Sequence, residues 1–432
     1  MIEALSTSWR MAGCPQRVLA AVSGGADSMA LLRGLMALSE REGLTLLAVH
    51  VDHGLRTDSG DDAAFVAAFC RERGVKCAVE KVKCADASEN SARIARYDAF
   101  ARAYERERAD VLALAHHRRD QAETVLMHLF RGSGTEGLSG MDVLASCSLL
   151  SGGGMRLWRP LLDVPPEELR ACLMDRGIPW REDGTNLDDT YDRNFLRLRV
   201  LPLLRERFPG AEAAVCRTAE ILRRDQDCLE QMANEFLSVN ACLTPPCRFI
   251  LRKGFAALHP ALRARVLRKA LPEPLTFAQT ETLLAIQPGE KVNLPRGWHA
   301  EASETRIYLL PPKDEKLPLT PLKVCACKDS VGDGIRTQAI PGSEIGDGLC
   351  LRYREPGDRI RPLGAKGEKS LQDYLVDKKV DRPLRDHLPL LCRGKQVYWV
   401  IGVGPGEQMR VNDGEQRILL TYTGILPGET VS

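Results

Sequence analysis

The stretch Ala21-Val22-Ser23-Gly24-Gly25-Ala26-Asp27-Ser28-Met29-Ala30-Leu31-Leu32 decides the fold of this chain. The run Arg17–Val22 has the length of a buried strand, and the apolar-periodic stretch that follows reaches Gly43, as a helix would. A strand, a tight glycine turn and a helix start therefore meet at Ser23–Ser28. Two adjacent glycines let the backbone come close to a ligand, and the free amides at a helix N-terminus favour an anion. The hydroxyls of Ser23 and Ser28 suit phosphate oxygens. Asp27 is the odd member, because a carboxylate beside phosphates repels them unless a cation lies between. That points to a magnesium nucleotide, with Asp27 as the Mg2+ ligand.

The turn has neither the Gly-Lys-Ser/Thr end of a Walker A loop nor the spaced glycines of a dinucleotide fingerprint. An ordinary strand-to-helix turn of small residues fits the same positions. The pattern Ser-Gly-Gly-x-Asp-Ser resembles the signature of the PP-loop ATP pyrophosphatases, which cleave ATP between its α and β phosphates. That resemblance implies ATP as the nucleotide, bound by Ser23, Gly24, Gly25, Ala26, Asp27 and Ser28.

A chain of 432 residues exceeds what one core supports, so two to four domains are expected. Charged residues make up 27% and hydrophobic ones 44%, an ordinary soluble composition, and the formal net charge of +2 excludes a uniformly basic protein. No apolar run reaches the ~20 residues of a membrane span. Met1–Pro15 carries Glu3 and no uninterrupted apolar core, so it does not read as a signal peptide. The 14 cysteines include no Cys-x-x-Cys pair, and Cys325 and Cys327, the nearest two, have no histidine cluster beside them. Scattered thiols of this kind predict a cytoplasmic protein with reduced cysteines, without a zinc site or a disulfide framework.

Strand and helix patterns alternate through the first ~135 residues: strands at Leu44–His50 (continuing through His53-Gly54-Leu55), Lys76–Val82 and Val111–Ala115, and helices at Asp61–Gly74, Ser91–Ala109 and Asp120–Phe130. Alternation of this kind predicts an α/β fold, a doubly wound parallel sheet of Rossmann-like type with ligands beyond the carboxyl ends of its strands. Ser146–Gly154 reads as a Ser/Gly loop, Met155–Leu162 as extended, Pro166–Gly177 as a short helix, Arg181–Tyr191 as polar loop, and Arg193–Arg207 as a helix broken by Pro202. Ala211–Val239 reads as one long connector helix. Residues 248–310 follow as a small, mostly helical unit, with helices at Pro260–Leu271 and Phe277–Ile286 and strands at Lys291–Leu294 and Thr305–Leu310. Pro311–Pro321 reads as a linker. Leu322–Thr423 reads as short strands around one helix, Ser370–Asp377, a small α+β domain. The expected division is thus 1–210, 211–312 and 322–432. In the window 351–400, twelve Lys or Arg face seven Asp or Glu, a surplus of five; this suits either a solvated face or a polyanion partner.

The block His116-His117-Arg118-Arg119-Asp120-Gln121-Ala122-Glu123-Thr124 opens a helix at the end of the Val111–Ala115 strand, on the same rim as Ser23–Ser28. Asp120 and Glu123, three apart, share a helical face. Two carboxylates there could hold a metal or a cationic substrate; equally, Asp120 could cap the helix and Glu123 serve as a first-turn acid.

These motifs occur in one order with Arg131-Gly132-Ser133-Gly134, Gly137-Leu138, Gly140-Met141, Arg159-Pro160-Leu161-Leu162, Glu182-Asp183, Thr185-Asn186 and Arg193-Asn194. Gly357-Asp358-Arg359, Arg361-Pro362-Leu363-Gly364, Lys378-Lys379, Arg385-Asp386 and Leu388-Pro389-Leu390 extend the match to the last domain. Together they resemble the tRNA(Ile)-lysidine synthetase family across nearly the whole chain. The resemblance implies a ligase that joins free L-lysine to the wobble cytidine of an isoleucine tRNA with a CAU anticodon, at the expense of ATP. It implies that Asp120 and Glu123 bind the lysine, that Arg96 faces the nucleotide or adenylate, and that the middle and C-terminal domains contact tRNA. No membrane partner is implied, and a homodimer is compatible with it. Two departures stand out: Arg119 replaces the first of the family's paired aspartates, and Gly184 stands where proline is usual before Thr-Asn. Three rivals share the fold. A tRNA thiolase needs reactive or cluster-holding cysteines, which the Cys spacing does not supply. An amide-forming ATP pyrophosphatase needs no basic last domain. A catalytically dead tRNA-binding protein would not need Asp27, Asp120 and Glu123.

Overall fold

The computed structural model describes residues 1–52, 59–82, 89–148, 154–182, 192–244, 248–312, 319–327, 330–412, 414–424 and 426–427. His53-Gly54-Leu55, Asp183, Gly184, Thr185-Asn186 and most of the Pro311–Pro321 linker lie outside the described residues. The chain forms two compact units, Met1–Asp227 and Cys228–Ser432.

The first unit runs α1 (Ile2–Met11), β1 (Arg17–Ala21), α2 (Ala26–Glu42), β2 (Thr45–Asp52), α3 (Ser59–Glu72), β3 (Lys76–Lys81), α4 (Glu89–Glu107), β4 (Val111–Ala113) and α5 (Arg118–Phe130). It continues through α6 (Thr135–Leu138), β5 (Leu144–Ser148), β6 (Gly154–Trp158), α7 (Pro166–Met174) and α8 (Asp192–Phe195) to α9 (Leu201–Arg207) and the start of α10 (Ala211–Asn240). The sheet order is β3-β2-β1-β4-β6-β5, parallel except for β5, which lies antiparallel to β6. Leu19 of β1 stands beside Leu47 of β2 on one side and Leu112 of β4 on the other. Strand order reverses there, so the connections leaving β1 and β4 diverge and open a crevice at their carboxyl ends. Ser23–Ser28 follows β1 and His116–Asp120 follows β4, so both motifs line that crevice.

The period-2 alternation of β1 separates two cores. Val18 and Ala20 pack with Leu5, Trp9, Met29, Leu32, Phe69 and Leu173 of α1, α2, α3 and α7. Leu19 packs with Leu112, Phe100 and Ala103, beneath α4. The result is a helix–sheet–helix sandwich whose central strands β1, β2 and β4 are buried on both faces, as near-continuous apolar runs require.

Three local expectations change. Ser146–Ser148 belongs to β5, hidden in the sequence by its serines, and residues 149–153 lie outside the described ones. The carboxyl end of β4 is Ala113 rather than Ala115, though the Leu114 amide still donates to the Trp158 carbonyl. The interruption expected at Pro202 lies just ahead of it: α8 ends at Phe195, Leu196–Val200 forms a π-helical turn and α9 restarts at Leu201. Proline has no N–H for the carbonyl four residues back, so the turn ahead of it widens and Pro202 falls in a first turn, where no donor is needed.

The second unit starts within α10, a 30-residue helix about 45 Å long at the usual rise. The middle helices α11 (Arg252–Ala257), α12 (Pro260–Ala270) and α13 (Phe277–Leu284) pack on a five-stranded antiparallel sheet. Its strands are β7 (Ala241–Cys242), β8 (Arg248–Leu251), β9 (Lys291–Asn293), β10 (His299–Ala302) and β11 (Arg306–Leu310), of which the sequence pattern showed only the last hairpin's flanks. Beyond it lie a three-stranded sheet of β12 (Lys323–Cys327), β13 (Thr337–Pro341) and a late strand at Arg417–Thr421, and a further sheet spanning Leu349–Pro405 around the helix Leu371–Asp377. Asp358 of the Gly-Asp-Arg motif is buried and takes Arg352 bidentately, at 2.9 and 2.8 Å, plus the Glu355 amide at 2.8 Å. Its partners hold it below the usual carboxylate range despite burial, so this motif residue is a structural pin.

In the first unit, α1 crosses α2 at Gly34, where an added Cβ would stand 2.3 Å from the buried Leu5 Cδ1. Gly34→Val should therefore cost about 1–3 kcal/mol through overpacking. A urea midpoint unchanged from wild type would show that the crossing has slack.

Candidate functional site

The glycine turn is stitched from within by Ser28. Its Oγ accepts the amides of Ser23 (3.1 Å) and Gly24 (3.2 Å) and donates to the Gly25 carbonyl (2.9 Å). Gly24 has φ +94°, and a Cβ there would stand 3.4 Å from Val66 Cγ2, so the position suits glycine on both grounds. Gly25 is the N-cap of α2 and supplies no side-chain cap. The first amides of α2, at Ala26 and Asp27, therefore have no intrahelical acceptor and are available to an anion. From the far side, the Arg181 amide donates to the Gly24 carbonyl at 2.9 Å, and His50 Nδ1 meets the Val22 carbonyl at 2.8 Å.

The second motif differs in detail from its sequence reading. Helix α5 begins at Arg118, two residues earlier than expected, and its cap is His117 rather than Asp120. The two form a reciprocal capping box: the Asp120 amide donates to His117 Nδ1 at 3.3 Å, and the His117 amide to Asp120 Oδ2 at 3.0 Å. Asp120 thus has a share in helix capping. Glu123 is no surface first-turn acid, since it is 0% exposed.

One chain of polar contacts joins the two motifs. Asp27 Oδ2 lies 3.4 Å from His117 Nε2, and His117 Nδ1 lies 3.2 Å from Asp120 Oδ2. Asp120 Oδ1 meets Arg197 Nη2 at 3.0 Å and Arg193 Nη2 at 3.4 Å. Glu123 takes Arg193 Nε at 2.8 Å on one oxygen and Arg197 Nε at 2.7 Å on the other. Burial opposes a charge on His117, but Asp27 and Asp120 outweigh it and raise the imidazole above its ordinary value. Burial likewise opposes ionised Asp120, yet His117 and Arg193 hold its carboxyl below the usual range. Next to them, burial together with Arg159 and Arg193 pushes His116 down to about 4, and its Nδ1 is buried without a hydrogen-bond partner.

The structure thus brings Asp27, Asp120 and Glu123 together. Arg96 is exposed on α4, which packs on the opposite sheet face from α2. Arg197 had no place in the sequence reading, and His117 and Arg193 entered only as parts of motifs. The spacing held a signal: arginines four apart on one helical segment match carboxylates three apart on another. As for a metal, Asp27 is the only carboxylate in the turn, and among the described residues no group of three His, Cys, Asp or Glu side chains could hold an ion. That donor set suits Mg2+, which takes one or two carboxylates and completes its shell with phosphate oxygens and water.

Comparison with known proteins follows this division. A family described as a PP-loop domain matches residues 7–204, and one described as the TilS substrate C-terminal domain matches residues 349–422. The tRNA(Ile)-lysidine synthase of Symbiobacterium thermophilum is 33% identical over 92% of this chain and 92% of its own length. That of Geobacter sulfurreducens is 32% identical over 93% of this chain and 91% of its own. That of Dehalococcoides mccartyi is 29% identical, covering 93% and 94%. Similarity at this level, sustained along both chains, places this protein in the tRNA(Ile)-lysidine synthase family.

Proposed function

We propose that this chain is a ligase that joins free L-lysine to C2 of the wobble cytidine of an isoleucine tRNA with a CAU anticodon, acting in the cytoplasm and converting ATP to AMP and pyrophosphate. The product reads AUA in place of AUG. The observation that carries the site assignment is the unbroken contact chain from Asp27, in the nucleotide turn, through His117 to Asp120 and Glu123. It sets a phosphate-binding element and a cation-binding element side by side at one crevice.

Cytosine O2 is a poor leaving oxygen, so it attacks the α phosphate of ATP and becomes an adenylate. The free amides at the start of α2 hold phosphate oxygens as charge builds on the departing pyrophosphate. Asp27 would hold Mg2+, which would supply charge neutralisation on the polyphosphate. Lysine's ε-ammonium takes the place that Arg193 and Arg197 occupy on Asp120 and Glu123. Those arginines are 32% and 29% exposed and can turn outward, whereas Glu123 cannot. The carboxylates orient the ammonium and receive the proton it must lose before nitrogen attacks C2 and expels AMP. Arg96 contributes positive charge towards the nucleotide or adenylate, and the surplus cations of 351–400 bind tRNA phosphates.

Pyrophosphate release that requires both lysine and tRNA is the expected result; release with neither would assign the chain to another PP-loop reaction. Asp27→Ala should abolish adenylate formation while tRNA binding, followed by gel shift, persists; normal turnover would remove Asp27 from the mechanism. Glu123→Gln keeps shape and helix propensity. Losing a charge-assisted hydrogen bond there should raise the Michaelis constant for lysine roughly ten- to a hundred-and-fiftyfold, corresponding to about 1.5–3 kcal/mol. Wild-type lysine dependence in this variant would return Glu123 to a purely structural role.

A further inference from the structure

Helix α5 begins with two arginines, Arg118 and Arg119, in its first turn. Cations there oppose the helix dipole, so neither is placed for the sake of the helix itself. Each has a tertiary acceptor instead. Arg118 donates to the Asp163 carbonyl. Arg119 ion-pairs with Glu167 of α7, and its Nε donates to Glu212 Oε1 at 3.2 Å. Glu212 is in the first turn of α10, and the same oxygen accepts Arg205 of α9 from Nε at 2.8 Å and Nη2 at 2.6 Å. Arg119 is 17% exposed and Glu212 13%, so this central pair is screened from water more than a surface pair, while its partners Arg205 and Glu167 are 36% and 66% exposed.

The continuous helical segment Asp192–Arg207 is thereby held to α5 at both ends. Its start carries Arg193 and Arg197 onto Asp120 and Glu123, and its end is tied through Arg205 and Glu212 to Arg119. Between the two ties, Leu196 and Leu201 pack on Leu126 of α5, with the π-helical turn in the span. A helical segment anchored at both ends has its rotation set at both ends.

We propose that Arg119 is a positioning residue for the lysine site: through Glu212 and Arg205 it sets where Arg193 and Arg197 stand over Asp120 and Glu123. This rests on the reading of those carboxylates as the lysine site. Arg119 touches neither carboxylate, and its guanidinium faces the α7 and α10 side of α5. With the far tie cut, the segment shifts against α5, and the exchange of guanidinium for ammonium loses its fixed geometry.

The test uses the full-length protein in steady-state pyrophosphate release, with lysine and ATP varied separately. Arg119→Met keeps the apolar stem but removes the charge. It should raise the Michaelis constant for lysine about tenfold, within the range for residues coupled in one ion-pair network, and leave that for ATP within about twofold. Arg119→Lys keeps the charge and should recover most of the loss. Glu212→Gln cuts the same tie from the other side and should shift lysine dependence in the same direction, even if Arg119→Met folds poorly. Wild-type lysine constants in both Arg119→Met and Glu212→Gln, with only the melting temperature lowered, would reduce the cluster to scaffolding and overturn the proposal. Glu123→Gln keeps the two ideas apart. If it alters lysine dependence and the Arg119 and Glu212 variants do not, the positioning role fails; if it has no effect, the lysine-site reading itself fails.

Discussion

A carboxylate with no exposure to solvent must be surrounded by cations or lose its charge, because the desolvation penalty is several kcal/mol. Glu123 meets that demand with two guanidinium groups: Arg197 spans both carboxylate oxygens and Arg193 shares one of them. Much of the first unit follows from this requirement. Arg193 and Arg197 must be delivered to one face of α5, so the segment that carries them must lie along that helix. A straight α-helix containing Pro202 would leave the Leu198 carbonyl without its donor, and the π-helical turn at Leu196–Val200 removes the conflict while keeping the apolar contacts with Leu126.

The same constraint explains why the two halves of the site communicate. His117 caps α5 and is also the side chain between Asp27 and Asp120. Helix capping and site geometry are therefore one set of contacts: moving the start of α5 moves the nucleotide-side carboxylate's partner. The crevice is where the sheet order reverses beside β1, so the turn after β1 and the helix start after β4 face each other without long loops. Short connections hold both elements on one sheet, which suits a reaction whose first step adenylates cytosine O2 and whose second step attacks the carbon that bears it.

The second unit is built differently. Its sheets are mainly antiparallel, its strands short, and its motif residues partly structural, as Asp358 shows by tying Arg352 and the Glu355 amide. The Gly-Asp-Arg motif that carries the resemblance into the last domain thus contains a buried pin flanked by Arg359, an exposed cation. Motif membership alone does not separate scaffold from contact; burial does.

By itself the sequence determined the elements whose patterns are local: the strand-turn-helix at Arg17–Gly43, the parallel α/β alternation, the long helix from Ala211, and Asp120 and Glu123 on one helical face. Apolar periodicity and glycine placement are short-range, so they survive in one dimension. Tertiary structure decided what depends on distant partners. The strand β5 is concealed by serines that only its pairing with β6 makes intelligible. His117 as cap and bridge needs β1 and β4 to be neighbours, although Asp27 and His117 are 90 residues apart. The arginines that pair with Glu123 and the ties of Arg119 come from segments 48 to 93 residues away, because Coulomb attraction and desolvation act through space and leave no periodic trace along the chain.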